Sequence, residues 1–286
     1  MYSLALDDLA CDIDADHGGA VTSFRDRRGE ILRAGPAAGD PREAACFPCA
    51  PWFGRIYGDL VFNGARTALT PTLPACDAHH ALHGDGWVSR WAVSRHTDDM
   101  LTLRLENHAA LASGFAFPYA VTERFALSRK GLTITLALEN TGAAPMPAGL
   151  GLHPFFPRTA ATRLRFGAEK IWTPPADGPG VLRAISGKLG AISGTRGGAA
   201  SLPDTTLDHS FAGLKSPIVI ETGAGEITLA TDAPIAHIYA PAGEAFFCVE
   251  PVTHLPGELT RAGSGYGGCA LAPGETMTLA LTIGRS

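Results

Sequence analysis

The chain has 286 residues, 45% of them hydrophobic and 18% charged, with a formal net charge of -5 at neutral pH. That balance supports a large buried core and excludes a disordered chain, and with acidic and basic residues intermixed no basic stripe points to a nucleic acid. No apolar stretch reaches bilayer length, and Met1–Asp8 has neither the basic nor the apolar region of a signal peptide, so the expectation is a cytoplasmic protein with reduced cysteines and no membrane partner.

Glycine and proline punctuate the chain along its length, and the segments between them have strand character. Leu9–Ala15 is the first predicted strand, followed by Trp91–Arg95 and by Leu101–Leu105, where apolar and polar residues alternate as on a half-buried strand. Val121–Leu127 and Leu132–Leu138 flank Lys130-Gly131 as a hairpin. Pro217–Glu221, Ile227–Ala230, Ile235–Tyr239, Phe246–Glu250 and Thr276–Ile283 complete the series. No helical period of ten or more residues stands out, and no composition break marks a second domain. The pattern predicts one all-β domain over residues 1–286, a sandwich or barrel with few or no helices. Two long segments, Ala34–Phe62 and Pro174–Pro203, carry no strand signal, and loops of that length are usually functional or mobile.

Four segments carry candidate chemistry. In Phe47–Ile56, Cys46 and Cys49 have the spacing of half a zinc site, but no second pair exists and the βαβ context of a redox motif is absent. Two buried thiols are the better reading. Arg55 is an obligate cation in an aromatic run, so it either pairs with an internal carboxylate or presents its fork to a ligand. His79-His80-Ala81-Leu82-His83-Gly84-Asp85-Gly86-Trp87 raises the question of a metal. On an extended chain adjacent histidines face opposite ways, and no acidic residue sits at a metalloprotease spacing, so no metal is expected. Trp87 beside a glycine hinge suits a sugar site, where a ring covers the apolar face, and equally suits a core anchor.

In Gly149–Pro157, His153 sits between glycines that allow close approach and a proline that fixes the backbone. Such a histidine is commonly a core residue, yet imidazole exchanges protons near neutrality. In Phe246–His254, Glu250 ends a strongly apolar strand, where a carboxylate is costly to bury without a partner. Burial that raises its pKa makes it a competent base near neutral pH.

Arg55-Ile56, Asn63-Gly64, His83-Gly84, Gly151-Leu152-His153-Pro154-Phe155-Phe156, Leu207-Asp208-His209-Ser210-Phe211, Val249-Glu250-Pro251 and Leu271-Ala272-Pro273-Gly274-Glu275 occur in this order. In order and separation they resemble the aldose 1-epimerase (mutarotase) family from about Asp16 to Ile283. The resemblance implies a large antiparallel β-sandwich with a sugar cleft, no cofactor and no metal. It implies that Glu250 takes the proton of the anomeric hydroxyl and that His153 protonates the ring oxygen. His83 would be a second histidine near that oxygen, with Arg55 and Asp208 positioning the sugar. Gly54 replaces an asparagine common before the arginine, and His254 is expected to add a substrate contact specific to this branch. The implied substrate is a free aldohexose such as galactose or glucose, and the implied assembly a monomer or weak homodimer. Two alternatives stand beside it. One is a mutarotase for a phosphorylated or sulfonated sugar, using Arg42, Arg66 or Arg90 at the rim. The other is a sugar-binding protein without turnover. Gly263–Gly268 superficially matches a dinucleotide loop but precedes a strand, so no nucleotide is expected.

Overall fold

The computed structural model describes residues 1–36, 40–107, 112–174, 180–185, 199–261 and 265–286. Nearly all regular structure among them is strand. The exceptions are two three-residue 3-10 turns, Pro41–Glu43 and Gly86–Val88. No helix among the described residues is long and apolar enough to cross a membrane.

Two large antiparallel sheets dominate. The first runs in the order Tyr2–Leu6, Leu9–Asp14, Ala20–Asp26, Cys46–Cys49, Gly151–Pro157, Phe246–Val252, Ile235–Ala240, Leu207–Ala212, Lys170–Thr173, Val181–Ala184. The second runs Ala92–His96, Met100–Asn107, Tyr119–Ser128, Gly131–Asn140, Thr276–Arg285, Gly225–Thr231, Lys215–Thr222, Arg163–Gly167, Ala200–Ser201. The predicted hairpin is present, with Ser128 opposite Gly131 and pairing continuous back to Tyr119 and Asn140.

Leu132, Ile134, Leu136 and Leu138 of the second sheet join Leu279, Leu281 and Ile283 in one core. Leu152, Phe156, Phe211, Ile238, Phe247 and Val249 of the first sheet belong to the same core. Because side chains alternate along a strand, the residues between these face the other way. Phe47, Cys49, Phe155, Cys248 and Val252 form a second apolar cluster on that opposite face. His153, Glu250 and His237 occupy the same parity on their strands. A one-residue slip of any of these strands would put its polar group into the main core, so apolar packing on one face fixes the register of the other.

Ala34–Phe62 carries no strand signal in its residue pattern, yet Cys46–Cys49, Arg55–Ile56 and Leu60–Phe62 are strands. Cys46–Cys49 is buried on both faces, so it lacks the polar alternation that marks a surface strand. Pro174–Pro203 lies mostly outside the described residues, although Val181–Ala184 and Ala200–Ser201 are short strands within it. Gly263 and Ser264 of the glycine-rich loop also lie outside them.

Candidate active site

On the face of the first sheet away from the main core, strand register builds a lateral row of side chains. Phe47 pairs with His153. Gly151 opposite Val252 and Phe155 opposite Cys248 bracket His153 across from Glu250. Glu250 pairs with His237, and His237 with Ser210. The next row contains Phe155, Cys248, Tyr239 and Asp208. Above these rows lies a cleft of about 380 Å³, whose lining includes His83, Arg55, His153, Asp208, His237 and Glu250. That size falls near the lower end of the range for small-molecule sites, about 300–1,000 Å³.

Glu250 is 1% exposed and neither of its carboxyl oxygens has a hydrogen-bond partner. His153 Nε2 lies 3.4 Å from Glu250 Oε2, close enough for charge coupling but without a well-directed hydrogen bond. Burial, and then the nearby Asp208 charge, pushes the Glu250 carboxyl well above its usual range. His153 is stacked between Phe47 and Phe155, at ring separations of 4.4 and 4.6 Å. Burial lowers its pKa to about 3. Burial therefore favours the uncharged form of both groups, a carboxylic acid facing a neutral imidazole.

His83 is carried on a loop rather than a sheet. Arg55–Ile56 pairs with Ala81–Leu82, and His83 follows with a left-handed φ of 58°. Its backbone N–H donates to Gly54 O, and the Gly54 N–H donates back to His83 Nδ1 at 3.2 Å. The Cys49 thiol lies 3.3 Å from the same nitrogen. With Nδ1 accepting, the ring proton resides on Nε2, leaving that nitrogen as a donor. Burial, and then the electrostatic influence of His153, Arg55 and His237, holds the pKa of His83 well below the usual histidine range. Gly54 itself has a φ of 74°, and a Cβ there would stand 3.0 Å from the backbone Cα of Pro256. The position that removes a polar side chain thus also requires glycine for close packing.

Arg55 Nε donates to Asp77 Oδ2 at 2.6 Å. Asp208 Oδ1 lies 3.1 Å from His237 Nε2. Burial pushes the Asp208 carboxyl up, but the hydrogen bond and charge of His237, aided by Arg55, outweigh it and hold the pKa below the usual value. Asp208 is therefore ionised. Trp87 is almost wholly buried and stacks on Phe47 at 5.1 Å. Its indole N–H donates to Leu82 O and Gly84 O, so it forms part of the cleft wall and holds the His83 loop.

His254 does not occupy the place expected of it. It is fully buried, its Nε2 accepts the Phe53 N–H at 3.1 Å, and its Nδ1 donates to Leu255 O at 2.8 Å. Its ring packs so closely on Gly149 that a Cβ there would fall 2.0 Å from His254 Cδ2. With both nitrogens engaged by backbone, His254 braces the segment leading to Arg55 and has no atom left for a sugar. The rim arginines also separate. Arg42 lines the cleft but is tied to Asp40, whereas Arg66 and Arg90 lie outside the lining and pair with Asp59 and Asp16.

His237 was not legible as a site residue, since in Ile235–Tyr239 it reads as a core histidine. The one available signal was its parity: it alternates with the core residues Ala236 and Ile238 and so shares a strand face with Tyr239. His153, Cys248 and Glu250 also place three potential metal ligands within 4.8 Å of one another. A cation held there would need the thiol and both members of the acid–base pair, and burial keeps the Cys248 thiol strongly protonated. Cys46 and Cys49 are buried thiols, as expected from the sequence.

Comparison with known proteins fits this geometry. A family model described as aldose 1-epimerase matches residues 9–284. YphB of Escherichia coli strain K12, an uncharacterized protein, is 32% identical over 297 residues, covering 99% of this chain and 98% of its own. A solved structure from Escherichia coli K12, provisionally named an aldose 1-epimerase, matches with a TM-score of 0.86 at 31% identity, over 100% of this chain and 99% of that one. A galactose mutarotase-like protein from Lactobacillus casei ATCC 334 has a TM-score of 0.80 at 19% identity, with 100% of both chains covered. That last likeness speaks for the fold alone.

Proposed function

The chain belongs to the aldose 1-epimerase family, and from that membership and the cleft geometry we propose that it interconverts the α and β anomers of a free aldohexose such as galactose or glucose. The observation that carries this reading is the pairing of His153 Nε2 with Glu250 Oε2 at 3.4 Å on the floor of the cleft, the carboxyl oxygens being otherwise unpartnered.

Ring opening removes a proton from the anomeric hydroxyl and delivers one to the ring oxygen as the C1–O5 bond breaks. Glu250 accepts the first and His153 supplies the second; closure on the other face of C1 reverses both transfers. The pair needs one proton in total. Burial by itself favours that proton on Glu250, whereas the chemistry requires it on His153. These are two arrangements of the same protonation state. An anomeric O–H donating to Glu250 supplies the hydrogen bond the carboxyl lacks and favours its ionised form. A ring oxygen accepting from His153 favours the imidazolium in the same way. Substrate binding thus favours the working arrangement, and water-free surroundings strengthen both interactions. His83, with Nε2–H free, is a further donor near the ring oxygen, and Arg55 and Asp208 offer a donor fork and an acceptor to hydroxyls.

The charge balance at the rim supports a neutral sugar over a phosphorylated or sulfonated one. Arg55 is compensated by Asp77 and Arg42 by Asp40. Asp208 and Glu250 add only negative or neutral groups, so among the described residues that line it the cleft offers no cation without a carboxylate partner for a dianion. A binder without turnover has no use for the His153–Glu250 pair. The test is the rate of anomer equilibration of freshly dissolved α-D-glucose and α-D-galactose, with Glu250→Gln and His153→Ala beside the wild type. Acceleration by the wild type and its loss in both variants is expected. An inert wild type would overturn the reading.

A further inference from the structure

Ser210, His237 and Asp208 form a hydrogen-bonded array along the row that contains Glu250. His237 Nδ1 lies 2.8 Å from the buried Ser210 hydroxyl, and its Nε2 lies 3.1 Å from Asp208 Oδ1. An ionised carboxylate only accepts, so His237 Nε2 carries a proton and donates to Asp208. The imidazole is thereby held at both ends, with the Phe53 ring packed against it at 5.3 Å. Asp208 is the one member with substantial exposure, its side chain being 42% accessible against 9% for His237. A flexible acidic side chain at a cleft mouth, left alone, samples several rotamers, each at an entropic cost to any ligand that needs one of them. Here a rigid, buried imidazole anchors one oxygen and leaves the other to the cleft.

We propose that His237, seated on Ser210, is a positioning residue that fixes the Asp208 carboxylate as an acceptor for sugar hydroxyls. The inference rests on the sugar-cleft reading above and adds a residue to it. His237 also acts on the acid–base pair at one remove. The charged and titratable groups around it are Asp208 and His209 on Leu207–Ala212, Tyr239 on its own strand, Glu250 and Cys248 on the strand beside it, His153 beyond Glu250, and Arg55 and His83 from the loop above. Among these, Asp208 is the negative charge that adds to burial in raising the Glu250 carboxyl. An Asp208 released from His237 would swing toward solvent, its charge would be better screened, and Glu250 would lose its proton at lower pH.

The test uses a sugar that binds but cannot anomerise, 1,5-anhydro-D-glucitol, measured by calorimetry, together with the kinetics of anomer exchange. His237→Ala is expected to weaken analogue binding about tenfold, the size of one lost charge-assisted hydrogen bond. It should raise KM by a similar factor while lowering kcat less, and move the alkaline limb of the pH–rate profile to lower pH. His237→Gln keeps an N–H donor toward Asp208 and should recover most of the affinity. Ser210→Ala should give a smaller change in the same direction. Asp208→Asn should mimic His237→Ala, and the double variant should add little, because both act through one carboxylate. Additive losses, wild-type affinity in His237→Ala or no analogue binding by the wild type would each overturn the proposal. Analogue binding that obeys this pattern in a wild type that does not exchange anomers would leave it standing and refute the anomerase reading alone.

Discussion

Replacing Glu250 with glutamine should stabilise the protein in proportion to pH. The carboxyl is fully buried, lacks a hydrogen-bond partner and lies near the ionised Asp208, so its folded pKa stands well above the ordinary value of 4.5. Between those two pKa values the unfolded chain has lost a proton that the folded protein still holds. Stability of the wild type therefore falls as pH rises through that window, by about 1.4 kcal/mol per pH unit. Glutamine has nearly the same shape and does not titrate. The difference in unfolding free energy, variant minus wild type, should be flat below about pH 4 and then climb at that slope. Two units above the foot of the ramp it reaches about 2.7 kcal/mol, a hundredfold in the folding equilibrium. His153 and the buried Glu123 titrate in both proteins, and Glu250 is uncharged across the window, so their contributions cancel to first order. Urea unfolding of both proteins from pH 4 to 8, with the denaturant slope checked for constancy, gives the curve. A difference that stays level across the range would show that Glu250 is ionised in the folded protein, and the proposed proton inventory would be wrong.

The same inventory fixes the pH–rate profile of kcat/KM. Activity requires one proton on the His153–Glu250 pair, so it should fall only where a second proton joins, near the His153 pKa of about 3, and where the last one leaves, well above 4.5. A midpoint near 6.5 that vanishes in His153→Ala would contradict this. Gly54→Ala should cost about 1–2 kcal/mol for the left-handed backbone, before the clash with Pro256, and should impair turnover by displacing the nitrogen that fixes His83. Unchanged melting and kinetics would refute that role. His254→Ala removes two buried hydrogen bonds and leaves a cavity, for an expected loss of about 2–4 kcal/mol in denaturant unfolding. A variant of wild-type stability with a specific loss of sugar affinity would restore the direct contact first expected of it.

The sequence was most readable where one face of a strand meets solvent or the cleft and the other meets the core. Leu132–Leu138 and Phe246–Glu250 show this, and in the latter the lone carboxylate marked itself as a group needing an explanation. Cys46–Cys49 was hidden because burial on both faces erases the alternation. Trp87 and His254 show a different limit. Both are polar-tipped rings beside the site, and residue type alone cannot say whether the tip meets a ligand or a backbone carbonyl. His237 and Asp208 are 29 positions apart, and only the pairing of Leu207–Ala212 with Ile235–Ala240 puts them in contact. The row Phe47, His153, Glu250, His237, Ser210 is a property of register between distant segments, which no local pattern contains.

The most direct test of the central claim is magnetisation exchange between the α and β anomeric protons of glucose and galactose, read by NMR at equilibrium with the wild type, Glu250→Gln and His153→Ala. The wild type should speed exchange well beyond buffer alone. Each variant should lose at least about 10²-fold, the range for removing a general acid or base. Exchange at the wild-type rate in Glu250→Gln would contradict the account, because no other carboxylate lies beside His153 on the floor of the cleft among the described residues.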